Sequence, residues 1–355
     1  MSKLGIKKNT RSNAITYLIV IVAFVLFTIL SNGGVLGRKT VGLLVPACCY
    51  IVMAISLNLT VGILGELSLG HAGFMSVGAF AGVVASTGLS STITSAPLRL
   101  AVAMVIGALF AAIAGFLIGI PVLRLRGDYL AIVTLAFGEI IKEIISCLIV
   151  GTDEKGLHIV FNYNGAKTVD DLGLTPTGTA IIKGAQGATG TQTIASFTAG
   201  FVLIMVALVI VLNFVNSRSG RAVMAIRDNR IAAESVGINI TKYKMIAFTI
   251  SAAIAGAAGA LYGLNYSNIT SAKFDFNTSI LILVFVVLGG LGNIRGSIIS
   301  ATVLYVLPEA LREFADYRML VYAIVLILVM IATNSSKVRT LLTRLVPHKR
   351  EKEVD

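Results

Sequence analysis

The chain has 355 residues, of which 56% are hydrophobic and only 13% charged, with a mean hydropathy of +0.90. That composition excludes an ordinary soluble globular domain and points to a polytopic α-helical membrane protein. The formal net charge of +12 does not mark a nucleic-acid binder, because its carriers gather beside apolar runs, as Lys and Arg do in cytoplasmic loops. The clusters are Lys3, Lys7, Lys8 and Arg11, then Arg218, Arg221, Arg227, Arg230, Lys242 and Lys244, and finally Lys337, Arg339, Arg344, Lys349, Arg350 and Lys352.

Apolar segments fall at 14–30, 41–61, 66–86, 99–120, 129–150, 196–215, 245–265, 276–290, 296–309 and 319–333. A spanning helix needs roughly 20 apolar residues, so these segments predict an all-α integral membrane protein of about ten transmembrane or half-spanning helices. About eight crossings with re-entrant segments satisfy the same parity. The first segment follows a basic tail, as in a signal peptide, but no small-residue cleavage site follows and it is long enough to span. It reads as an uncleaved first helix. Residues 1–335 form one membrane domain, and 336–355 a basic cytoplasmic tail. Both termini are expected in the cytoplasm.

The segment from Gly62 to Gly73 interrupts the apolar run with glycines and places Glu66, Ser68 and His71 in the interruption. Irregular backbone at membrane depth is tolerated only where protein buries it or water lines it. Ionisable groups there are costly enough to suggest a transport pathway, so Glu66, Ser68, Gly70 and His71 are pathway candidates. The alternatives are a charge-paired structural Glu66 and a His71 that donates to a backbone carbonyl. Ser68 is expected to cap the second half-helix, whose exposed N-terminus would favour a carboxylate.

Arg124 and Arg126 fall inside, with Asp128 expected to cap the next helix and Tyr129 to anchor at the interface. Glu139, Lys142 and Glu143 have ion-pair spacing and suggest a buried pair facing the bundle. The stretch 151–195 carries Asp153, Glu154, Asp170 and Asp171 against Lys155, Lys167 and Lys183, so it reads as external. Its Gly and Thr content predicts an irregular loop with little core. Asn265, Tyr266, Lys273 and Asp275 are expected on a solvated outer edge. Cys48, Cys49 and Cys147 lack disulfide or metal spacing and read as inert buried thiols. A second glycine break, Gly289 to Gly296, either echoes the first across two halves or is a plain turn at the cytoplasmic face with Arg295 at its edge.

The inside loop 216–244 has apolar Val223, Ile226, Ile231 and Val236 interleaved with Arg221, Arg227, Asp228, Arg230 and Glu234. That pattern predicts short amphipathic helices, which either lie on anionic lipid or dock into another protein. Ala232-Ala-Glu-Ser-Val-Gly237 is similar to the Ala-Ala-x-x-x-Gly core of the EAA loop of bacterial ABC importer permeases. Leu57-Asn58, Gly65-Glu-Leu-Ser-Leu-Gly-His-Ala-Gly-Phe74, Arg126-Gly-Asp-Tyr-Leu-Ala131 and Phe137-Gly-Glu-Ile-Ile141 resemble the branched-chain amino acid permease family, LivM type. The resemblance runs from about Val45 to Leu311, and it departs from the general EAA pattern at Ile231, where a Glu is usual, and in lacking the Ile-x-Leu-Pro ending.

The resemblance implies a translocation subunit in a bacterial plasma membrane, paired with a second, LivH-type permease. It also implies two P-loop ATPase subunits of the LivG and LivF type, and an external binding protein. Arg227, Asn229, Ala232, Ala233, Glu234 and Gly237 would then couple to the ATPase. The chain has no G-x-x-x-x-G-K-[ST] loop, so it is read as neither an enzyme nor a cofactor binder, with ATP used by its partners. Competing readings are the same architecture carrying a sugar, urea or amide, an ion-driven secondary transporter, and an intramembrane enzyme built on a Ser68–His71 dyad.

Overall fold

In the computed structural model, residues 2–33, 37–125, 127–153, 156–162, 167–176, 178–311 and the isolated positions 320, 323, 324 and 327 are described. The basic tail 336–355, Arg126, Glu154 and Lys155 lie outside them, as does nearly all of the segment 319–333. The chain divides into two compact units, 1–302 and 303–355, and the helix bundle with its functional site belongs to the first.

Every predicted apolar segment before 319 overlaps a helix. These are α1 (Ser2–Asn32), α2 (Arg38–Asn58), α3 (His71–Gly88), α4 (Ala96–Val122), α5 (Asp128–Ser146), α6 (Phe197–Asn216), α9 (Ile240–Gly263), α10 (Phe276–Gly289) and α11 (Ile294–Ala310). Between α6 and α9 lie the short helices α7 (Arg218–Asp228) and α8 (Arg230–Ser235). Among the described residues, five helical stretches are long and apolar enough to cross a membrane: Asn13–Ser31, Thr40–Leu64, Ala96–Val122, Phe197–Asn216 and Ile240–Gly263. Phe276–Gly289 is apolar but shorter, as a half-spanning helix would be.

The centre of the bundle is α3, α4 and α9, whose backbones touch because glycine and alanine line their contacts. A Cβ on Gly256 would lie 2.3 Å from the Ala111 Cβ and 2.6 Å from the Gly107 carbonyl oxygen, and one on Gly78 would lie 2.0 Å from the Gly256 oxygen. Without a hydrophobic drive between helices in lipid, such close approach is what associates them. The opposite face of α4 exposes Val105, Leu109, Phe110, Ile113, Phe116 and Leu117, an apolar surface suited to acyl chains. On the flank, Phe24 of α1 stacks on Phe197 and Phe201 of α6, with ring centroids 5.1 and 4.0 Å apart.

The expected irregular outer loop is instead a small antiparallel sheet. Its strands are β1 (Leu148–Asp153), β2 (Gly156–Phe161), β3 (Thr179–Lys183), β4 (Ala188–Thr189) and β5 (Asn268–Ile269), in the order β2-β1-β3-β4-β5. Leu148 pairs with Phe161 and Asp153 with Gly156 across the first hairpin, and a bulge at Val150/Gly151 separates its two registers with β3. Ile149, Val150, Leu172, Ile181, Ile182 and Ile269 are buried, so the segment has a core. In sequence the β-branched run Leu148-Ile-Val150 merges with the preceding apolar segment, but the helix ends at Ser146 and the run forms a strand. The strand β5 comes from the α9–α10 connection, which no local pattern in 151–195 announces.

Two expected caps differ, and one cap was not expected. Asp128 is the first residue of α5 and Gly127 its N-cap, with no side-chain capping bond. Ser68 does not cap α3, whose N-cap is Gly70. Asp275, expected on a solvated edge, caps α10 by accepting from the Thr278 N–H at 2.9 Å. Tyr129 is exposed, and the Lys273 ammonium lies 4.6 Å from the Tyr266 ring centroid. All three cysteines are free, and Cys48 and Cys49 are buried.

Candidate functional site: two glycine breaks at the basic end of the bundle

The helix α2 does not stop at Asn58 but loosens into a π-helical turn, Leu59–Leu64, every residue of which is buried. π-helical turns inside helices recur at functional sites. Gly65 closes it with φ 80°, a left-handed conformation that glycine adopts without a Cβ penalty. Residues 65–70 have no regular structure before α3 begins at His71.

Neighbouring helices hold this loop by its backbone. The Leu69 N–H donates to Thr134 Oγ1 at 3.0 Å, and the Ala72 N–H donates to Ser279 Oγ at 3.1 Å. A Cβ on Gly70 would fall 1.9 Å from the Thr134 carbonyl oxygen, so α5 and the break meet backbone to backbone. The N-terminus of α3 is therefore buried, with the Ala72 N–H engaged by a hydroxyl and the Gly73 N–H by the Gly70 carbonyl. It is not the exposed anion site that the sequence suggested.

His71 is 1% exposed, and its Nε2 lies 2.8 Å from Ser56 Oγ. Ser56 donates its own proton to the Ser251 carbonyl at 2.7 Å, while Ser251 Oγ donates to the Ser56 carbonyl at 2.7 Å. With that proton committed, the network assigns the imidazole proton to Nε2, leaving Nδ1 as an acceptor. Among the described residues Nδ1 has no partner, and neither does the fully buried Ser68 Oγ. Because His71 bonds Ser56 rather than a backbone carbonyl or Ser68, the Ser68–His71 dyad required by an enzyme reading is not formed. Buried polar atoms without partners are uncommon in native interiors, and each calls for an explanation.

Glu66 forms an ion pair with Lys244 in the second turn of α9, and Lys244 is buried. In sequence Lys244 counts among the surface cations of loop 216–244, but its charge is spent inside the bundle. On α5, Lys142 pairs with Glu139, whose second oxygen accepts the Phe276 N–H of α10 at 3.1 Å.

The second break meets the first. Gly290 and Gly292 have φ of 91° and 80°, and a Cβ on Gly62 would fall 2.2 Å from the Gly292 nitrogen. Asn58 bridges them by accepting the Gly292 N–H at 2.8 Å and donating to Ser297 Oγ at 2.9 Å. Arg295 donates to Thr16 Oγ1 of α1 at 2.6 Å, so the turn also lies near the start of the first apolar run. The two glycine motifs are separated by more than two hundred positions in sequence and form one junction in space.

At the same end, Ser217, Asn229 and Asn239 cap α7, α8 and α9 by accepting from the N–H groups of Gly220, Ala232 and Lys242. Val223 and Ile226 are buried, and Ile226, Ala233 and Ile240 form a small core with Ile238 and Tyr243 against it. Ile231 and Val236 are 82% and 74% exposed, because the break at Asn229 puts them out of phase with the apolar face of α7. Of the coupling candidates, Asn229 caps, Ala233 is buried, Ala232 and Glu234 face outward, and Gly237 has φ 83°. Arg227 turns inward, and its Nη1 donates to the Gly62 carbonyl at 2.9 Å. Sequence reasoning missed Ser56, Thr60, Thr134, Ser251 and Ser279, although small polar residues inside apolar helices are a readable sign of interhelical bonding.

Apolar spanning helices around a polar, glycine-broken junction define a multi-pass membrane permease. The profile described as "branched-chain amino acid transport system / permease component" matches residues 39–330. The chain is 34% identical over 301 residues to the high-affinity branched-chain amino acid transport system permease protein LivM of Escherichia coli (strain K12), covering 83% of this chain and 69% of that protein. It is 33% identical over 132 residues to the permease protein LivH of the same organism, covering 36% and 42%. It is also 25% identical over 275 residues to the fructose import permease protein FruG of Bifidobacterium longum (strain NCC 2705), covering 74% and 72%. The chain belongs to the branched-chain amino acid transport permease family, LivM type. No solved structure matches it.

Proposed function

We propose that this chain is the LivM-type translocation subunit of an ABC importer for branched-chain or related apolar amino acids. It pairs with a LivH-type permease, and two P-loop ATPases of the LivG and LivF type dock on the α7–α8 end, which faces the cytoplasm with both termini. A soluble binding protein delivers cargo to the sheet end, outside a bacterial plasma membrane. The family match to a protein named for branched-chain amino acid transport supports the cargo class, and the likeness to a fructose permease keeps a sugar as the second reading.

The observation that carries the docking reading is the outward face of α8. Ile231 and Val236 are largely exposed beside Arg230, Ala232 and Glu234, on a helix that Asn229 caps and that the Asn239-capped start of α9 follows. Apolar anchors with charged neighbours are what a partner's groove takes up, and Gly237, at φ 83°, closes the turn after α8. The chain supplies no phosphate loop, so a nucleotide-driven cycle has to reach it through that face. The cargo path passes the first break, with Glu66 at its rim and Gly70 keeping the passage narrow. Ser68 Oγ and His71 Nδ1, buried without partners, gain them when the break opens to cargo or water, as alternating access between two states requires.

The test is recovery of ATPase subunits with the tagged full chain from native membranes in mild detergent. Ile231→Asp places a charge in the docking face and is expected to lower that recovery at least about tenfold, with the amount of chain in the membrane unchanged. Undiminished recovery would contradict docking through α8.

A further inference from the structure

Two cations from the α7–α9 piece reach into the first break and bind it at different depths. Arg227, the penultimate residue of α7, donates to the Gly62 carbonyl while its other nitrogens hold Asp228 at 3.0 and 3.1 Å. Gly62 belongs to the last turn of its helix, where carbonyls lack intrahelical partners and carry partial negative charge. The Arg227 stem packs on the loop as well, since a Cβ on Gly65 would lie 2.6 Å from its Cγ. Lys244, six residues after Ile238, binds Glu66 on the far side of Gly65.

Both cations sit on one mechanical piece. The caps at Asn229 and Asn239 and the core of Ile226, Ala233 and Ile240 tie α7, α8 and the start of α9 together. Both anchor points lie in residues 62–66, and the same turn touches Gly292 through Asn58. A displacement of α8 therefore has to carry residues 62–66 with it or break two charge-assisted bonds at once.

We propose that Arg227 on Gly62 and Lys244 on Glu66 form a two-point latch that transmits movement of α8 to the junction of the two glycine breaks. Glu66 and Arg227 are then positioning residues that set whether the junction is open or closed, and neither needs to touch cargo. The latch rests on the reading that an ATPase docks on α8, and it adds how that docking reaches the path.

The experiment reconstitutes the complete transporter in proteoliposomes and measures ATP hydrolysis and leucine uptake together, alongside ATPase recovery. Glu66→Gln keeps the shape, and Arg227→Gln changes a side chain already 38% exposed. Each is expected to retain the ATPase subunits and hydrolysis within about twofold, while uptake per ATP falls about tenfold. Exchanging the charges in one chain, Glu66→Lys with Lys244→Glu, is expected to restore uptake to within about threefold of wild type, whereas Glu66→Lys alone is not. Wild-type uptake per ATP in both glutamine variants, with the ATPases bound, would overturn the latch and leave the docking reading standing. An exchange no better than Glu66→Lys alone would also overturn it. A wild-type chain that recovers no ATPase would remove the docking reading and the latch with it.

Discussion

Gly62→Leu is expected to abolish uptake while leaving the chain inserted in the membrane. A Cβ at this position would lie 1.9 Å from Asn58 Oδ1 and 2.2 Å from the Gly292 backbone nitrogen. The first obstacle is a side chain already bonded on both sides, and the second is backbone that no rotamer change can move. Alanine in a helix is favoured over glycine by about 0.8–1 kcal/mol, whereas overpacking costs typically about 1–3 kcal/mol and more when backbone must shift. Even Gly62→Ala should therefore be a net loss. The strain falls on the contact between the two breaks rather than on the α3–α4–α9 core, so transport should fail before folding does. The check is substrate uptake normalised to chain recovered from membranes. Normal uptake by Gly62→Leu would mean that the two breaks do not meet in the working protein.

Gly256→Val should have the opposite signature, with the folded protein lost first. Its added carbons would enter the space of Ala111 Cβ and the Gly107 carbonyl, where α4 and α9 touch at the bundle centre. Several overlaps at once place the expected cost above about 3 kcal/mol. We expect little monodisperse material in detergent-solubilised membranes, and a lower melting temperature for whatever survives. Gly256→Ala should fall between valine and wild type. A valine variant as abundant and as thermally stable as wild type would show that the helices have room to separate.

Much of the architecture is legible in the sequence because membrane helices announce themselves by length and apolarity. The segments 99–120 and 196–215 differ from α4 and α6 by only a few residues at either end. The first break is legible for the same reason, since Glu66, Ser68 and His71 interrupt a run that is otherwise apolar. What local pattern cannot carry is pairing between distant positions. Lys244 reads as one more cation of a basic loop, yet it is buried against Glu66 far away in sequence. The junction of Gly62 with Gly292, and the contribution of β5 to the sheet, are hidden in the same way. Ile231 and Val236 read with Val223 and Ile226 as the apolar faces of short amphipathic helices. The Asn229 cap turns α8 out of phase with α7, which is why Ile231 and Val236 end up outside.

Uptake of labelled leucine by proteoliposomes holding the purified complex of this chain, with ATP and ion gradients varied independently, separates an ATP-driven importer from an ion-driven carrier. Uptake is expected to require ATP and the binding protein, and to persist when ion gradients are collapsed. Uptake driven by an ion gradient without ATP would contradict the importer reading.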